Sequence, residues 1–83
     1  MALNRQQKRD DSLVLSLHIE AQLGKPSDVF YAVREVNKQL VKGYWYRLFT
    51  DETKTQWYRF GYAGATPTEV KSCVKRMRQN GKN

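Results

Sequence analysis

The chain has 83 residues, enough for one domain and not for two, and its 15 Lys and Arg against 8 Asp and Glu give a formal net charge of +7. A single cysteine, Cys73, excludes an internal disulfide and a Cys-based zinc site, and no run approaches the ~20 apolar residues of a membrane helix. The positive excess attracts polyanions through a long-range field.

Met1 to Asp11 is polar and lacks the apolar core of a signal peptide, so a flexible N-terminal arm over residues 1–11 and a cytoplasmic protein are expected (host cytoplasm if viral, nuclear if eukaryotic). From Ser12 to Ala21, Leu13, Leu15, Leu17 and Ile19 fall on one side and Ser16, His18 and Glu20 on the other, with Val14. Period two predicts a half-buried strand, and the abundance of Leu, Glu, Ala and Gln keeps a helix as the alternative. Gly24 and Pro26 break this element. Ser27 or Asp28 then caps an expected helix to about Lys42, because Val29, Val33, Val36 and Leu40 recur at helical spacing, and Gly43 follows as its C-cap.

Tyr44 to Thr50 and Thr55 to Gly64 are aromatic-rich and predict two strands of a hairpin with Asp51 to Lys54 as its loop. Pairing Thr50 with Thr55 sets Leu48 opposite Trp57, Tyr46 opposite Arg59 and Tyr44 opposite Gly61. The side of Trp45, Phe49 and Phe60 is then the expected core face. Tyr44, Tyr46, Trp57 and Arg59 fall on the face left at least partly open. Thr66-Pro67-Thr68-Glu69 is a capping box with Pro at the first helical position, opening a helix to Asn80 that buries Val70, Cys73, Val74 and Met77. The predicted order is β-α-β-β-α: a small two-layer α+β domain over residues 12–83, with a three-stranded antiparallel sheet and both helices on one face.

Catalytic chemistry finds no constellation. His18 is the only histidine, the acids are scattered among caps and turns, and the five glycines form no phosphate loop, so neither an enzyme nor a cofactor or metal is expected. Lys71, Lys75, Arg78 and Lys82 follow i, i+4, i+7, i+11 spacing and make a basic stripe on the last helix. The first expectation is therefore a non-catalytic nucleic-acid-binding protein. Lys71, Lys75, Arg78 and Lys82 would contact phosphates with Arg47 or Arg59 assisting, and Tyr44, Tyr46 and Trp57 would stack on bases. The alternative is a small inhibitor or adaptor, of the kind common among phage and mobile-element products, that docks a host protein through the same aromatic face or a nucleoprotein complex through the basic stripe. A third class is a homodimer formed through the hairpin edge.

A hairpin leading into a capped helix is similar in layout to the small sheet-plus-helix modules that bind DNA in some integrases. The double-stranded RNA-binding domain also ends in strands followed by a basic helix. This chain departs from that domain at the helix start, where Glu69 stands in place of a basic signature, and the similarity of layout transfers no residue.

Overall fold

The computed structural model describes residues 5–80. The elements run α1 (Arg5–Leu23), β1 (Ser27–Val36), β2 (Gln39–Phe49), β3 (Trp57–Gly64) and α2 (Pro67–Asn80). The strands form one antiparallel meander in the order β1-β2-β3. Both helices lie on the same face of it, where Leu15 and Ile19 of α1 and Val70 and Val74 of α2 meet Val29, Tyr44, Tyr46, Leu48 and Ala63 of the sheet. The α+β class, the antiparallel sheet of three strands and the two helices are as the sequence predicts. The order is not, since a helix opens the chain.

Residues 12–21, expected as a strand, belong to α1, and the helix begins early enough to take in Arg5 to Asp11 of the expected flexible arm. Leu15 and Ile19, one helical turn apart, are buried, whereas Leu13 and Leu17 face outward at 61% and 67% exposure. The alternation of leucines thus reflects an inward and an outward apolar stripe on one helix. Ser12 and Ser16 are accommodated by donating their hydroxyls to the carbonyls of Lys8 and Ser12, one turn back.

The expected helix from Asp28 to Lys42 is a β-hairpin. β1 pairs with β2 from Ser27 opposite Leu48 to Val36 opposite Gln39, around a turn whose central residues Asn37 and Lys38 both have positive φ (51° and 66°). That is the signature of a tight two-residue hairpin turn. The segment is rich in β-branched and aromatic residues, which favour a pleated surface. Both of its faces carry apolar side chains, so no clean alternation advertises the strand. Gly43 is accordingly not a helix cap but lies inside β2 at φ 155°. A Cβ there would come within 2.6 Å of the Gly64 carbonyl oxygen and the Tyr62 hydroxyl.

The last helix lies where the sequence places it, with Val70 and Val74 buried and Cys73 and Met77 only half-buried, and the second hairpin follows the expected order, though β2 already begins at Gln39 and β3 only at Trp57. Thr66 Oγ1 accepts from the Glu69 N–H at 3.3 Å, and the Glu69 carboxylate accepts from the Ala65 N–H at 3.0 Å, so the box closes one residue earlier than expected. The register of the hairpin differs. Phe49 pairs with Trp57, Leu48 with Arg59, Tyr46 with Gly61 and Tyr44 with Gly64, with irregularities at either end.

Candidate nucleic-acid interface

The bulge beside Trp57 and the placement of the helices decide which aromatic residues are available. Tyr44 and Tyr46, expected on the open face, point under the helices and are 1% and 6% exposed. The Tyr44 hydroxyl is directed to Asp11 Oδ2 at 3.5 Å, and the ring meets Tyr31 edge-on at 5.1 Å. Burial first, and the Asp11 carboxylate second, push the Tyr44 phenol above its ordinary value. These two side chains are core, and stacking on bases is closed to them. The inversion has a packing cause. Their strand neighbours on the helix side are small or aliphatic (Gly61, Ala63, Leu48), which leaves room for the two rings beneath α1 and α2.

The expected core residues Trp45, Phe49 and Phe60 instead lie on the sheet face that no helix covers. Here side chains of all three strands cover one another. Trp45 stacks on Phe60 at 5.6 Å and 7°, Phe60 on Phe30 at 6.0 Å and 18°, and Trp57 tilts onto Phe60 at 5.7 Å. Tyr62 closes the row edge-on to Trp45 at 4.9 Å, and its hydroxyl donates to the Lys42 carbonyl at 3.0 Å. Two guanidinium groups lie over these rings: Arg34 over Phe60 and Trp45 at 4.6 and 5.6 Å, Arg47 over Phe30 and Phe49 at 5.2 and 5.3 Å. Arg47 is fixed by an ion pair with Asp28, directly across the strands, while its buried Nε has no hydrogen-bond partner among the described residues.

Trp45 and Phe49 are 4% exposed and serve as the floor. Trp57 at 53% and Tyr62 at 39%, with half-buried Phe30 and Phe60, present ring surface to solvent. Of the expected stacking residues only Trp57 is on this face. Phe30, Arg34, Phe60 and Tyr62 of this open face are not among the expected stacking residues, because the sequence places Phe30 and Arg34 within a helix and Phe60 and Tyr62 on the core face.

The basic residues of α2 are elsewhere. Lys71, Lys75 and Arg78 are exposed on a flank of α2, in the helix layer, and Arg78 donates to Gln22 of α1 at 2.9 Å. Arg59 points to the helix side, 6.0 Å from the Tyr46 ring. It joins Lys25, Arg78, Tyr58 and Met77 around a cleft of about 270 Å³ with no carboxylate in its wall among the described residues. Lys82 lies outside the described residues. The described residues thus form two surfaces, an aromatic and arginine platform on the sheet and a cationic ridge on the helix layer. No group of acids, histidines and cysteines that would hold a metal occurs among the described residues.

Compared with known protein families, curated proteins and solved structures, the chain matches none.

Proposed function

We propose that the protein is a non-catalytic nucleic-acid-binding domain whose uncovered sheet face stacks on unpaired bases. The observation that carries this reading is the platform of Phe30, Trp57, Phe60 and Tyr62 with the Arg34 and Arg47 guanidinium planes over it. A solvated sheet face has no need of six aromatic rings. Bases stack on aromatic rings and on guanidinium planes without regard to sequence, at about 1–3 kcal/mol per base. Asp28 is already engaged by Arg47, so it adds little repulsion toward phosphate. The cationic ridge of Lys71, Lys75, Arg78 and Arg59 supplies the sequence-independent phosphate attraction that a net charge of +7 favours.

Fluorescence titration with single-stranded homopolymers over a salt series tests this. Quenching of Trp57 on binding is expected, with the affinity falling steeply with salt. Trp57→Ala should weaken binding by about 1–3 kcal/mol, some 5- to 150-fold. No quenching at low salt, or an affinity indifferent to salt, overturns the reading.

A further inference from the structure

The β1–β2 hairpin is longer than the sheet that carries it. β3 pairs with β2 only as far as Tyr44, so the residue pairs from Ala32 opposite Gly43 to Val36 opposite Gln39 form a two-stranded ribbon beyond the third strand. Among the described residues, the outer edge of β1 is closed only at its start. There the Ser27 N–H donates to the Glu20 carboxylate at 3.2 Å and the Val29 N–H to Ser16 Oγ at 2.8 Å. A strand repeats every two residues, so the N–H and C=O groups of Tyr31, Val33 and Glu35 point the same way. β1 is an end strand of the sheet, and no described strand pairs with them.

Edges are ordinarily guarded by proline, lysine or a bulge. Tyr31 to Glu35 contains neither proline nor lysine, and its pairing with β2 runs without irregularity. The Arg34 guanidinium is turned inward over Phe60 and Trp45. The edge thus offers alternating backbone donors and acceptors. A phosphate backbone brings acceptors alone and would leave the carbonyls of Tyr31, Val33 and Glu35 unpaired. An extended peptide brings both kinds of group at the matching spacing.

Charge decides which peptide. At its Tyr31 end the edge runs into a groove of about 390 Å³ between α1 and β1, whose walls include Arg5, Lys8, Arg9, Leu13 and Phe30 and, among the described residues, no carboxylate. The Lys8 ammonium lies over the Tyr31 ring at 4.3 Å. The ion pairs of the described residues, Arg47 with Asp28 and Lys54 with Glu20, leave Arg5, Lys8 and Arg9 without a carboxylate. On the ribbon Arg34, Lys38 and Lys42 outnumber Glu35, which stands at the end away from the groove. The same positive excess disfavours a second copy of this chain.

We propose that the edge of β1 docks an extended acidic segment of a partner protein, which pairs with Tyr31 to Glu35 as a fourth strand and sets its carboxylates in the groove of Arg5, Lys8 and Arg9. Pairing confined to this stretch forms about six backbone hydrogen bonds. It stops short of Val29, where α1 already holds the edge. Apolar side chains of the segment cover Val33, which is 53% exposed. The inference does not rest on the nucleic-acid reading.

The test is a titration of the isotope-labelled full chain, free of nucleic acid, with two synthetic peptides. Each joins Asp-Asp-Asp to Val-Thr-Val-Thr-Val, with the acids at one end or the other so that both strand directions are offered. One of them is expected to bind. At about nine-tenths saturation, amide exchange of Tyr31, Val33 and Glu35 should slow about tenfold. Lys in place of Asp in the peptide, or Lys8→Glu in the protein, should each weaken binding at least about tenfold. Methylating alternate backbone nitrogens of the peptide should abolish binding in one phase and spare it in the other, a signature of strand pairing that leaves the protein untouched. The proposal is overturned by no binding at millimolar peptide, by indifference to Lys8→Glu, or by equal effects of the two methylation phases. Protection of these amides in the concentrated free chain, which means a second copy, or by a thymidine oligonucleotide in place of the peptides, overturns it as well. Quenching of Trp57 by homopolymers is read separately, so failure here is distinct from failure of the nucleic-acid reading.

Discussion

Ser16 performs two tasks with one hydroxyl. Its Oγ donates to the Ser12 carbonyl and accepts from the Val29 N–H, tying α1 to the start of the sheet. Ser16→Ala leaves a buried backbone donor unpaired, and a loss of about 1–3 kcal/mol is expected by denaturant titration. Tyr44 and Tyr62 both lower stability at alkaline pH. Burial is the leading cause in raising both phenols, with Asp11 next for Tyr44 and Glu69 next for Tyr62. A group whose folded value is raised contributes stability that is complete below the unfolded value and is lost as pH rises through the folded one. Melting temperatures are therefore expected to hold until the ordinary phenol range, about 10, and to fall above it. Tyr44→Phe and Tyr62→Phe should each remove a late component from the phenolate absorbance titration.

The elements differ in how openly they announce themselves. α2 is declared by local chemistry: the Thr66 hydroxyl and Glu69 carboxylate occupy free backbone donors whatever the rest of the chain does. Thr66→Ala is expected to cost about 1 kcal/mol by the same titration. The β1–β2 hairpin is concealed, because its turn is Asn37-Lys38 and not Asn-Gly. Lys38 holds φ 66°, a conformation that a side chain disfavours. Replacing it by Gly should relieve that strain and raise stability by up to about 1 kcal/mol, seen as a higher melting temperature with the fold unchanged by circular dichroism. α1 misleads for a different reason: its outward stripe of Leu13 and Leu17 imitates the alternation of a strand, and only packing distinguishes it from Leu15 and Ile19.

At the scale of the whole molecule, the basic stripe of α2 lies in the helix layer, and the aromatic platform, with its own Arg34 and Arg47, lies on the opposite face of the sheet. The sheet platform and the α2 stripe cannot grip the same few nucleotides. Substitutions on the two surfaces should therefore act independently. Lys75→Ala is expected to lower affinity by a similar factor for any oligonucleotide and to shorten the salt slope by about 0.7 for single strands. Trp57→Ala should lower affinity while leaving that slope unchanged, and titrations of both variants over one salt series separate the two effects. A common effect of both substitutions on the slope would argue that the platform acts through charge and not through stacking.

The sequence by itself determined what is local or additive: one small basic α+β domain, an aromatic hairpin, a capped final helix and the positions of α2 to the residue. These follow from backbone donors, propensity and composition, which need no distant partner. The tertiary structure decided everything that depends on which face is covered. The two aromatic faces of the hairpin have similar composition, so the side the helices occupy is set by the space beside Gly61 and Ala63, by the bulge at Trp57, and by α1 arriving before the sheet. That choice buried Tyr44 and Tyr46 and released Trp57, Phe60 and Tyr62. It also brought Phe30 and Arg34 to them from a strand whose turn carries no glycine to mark it.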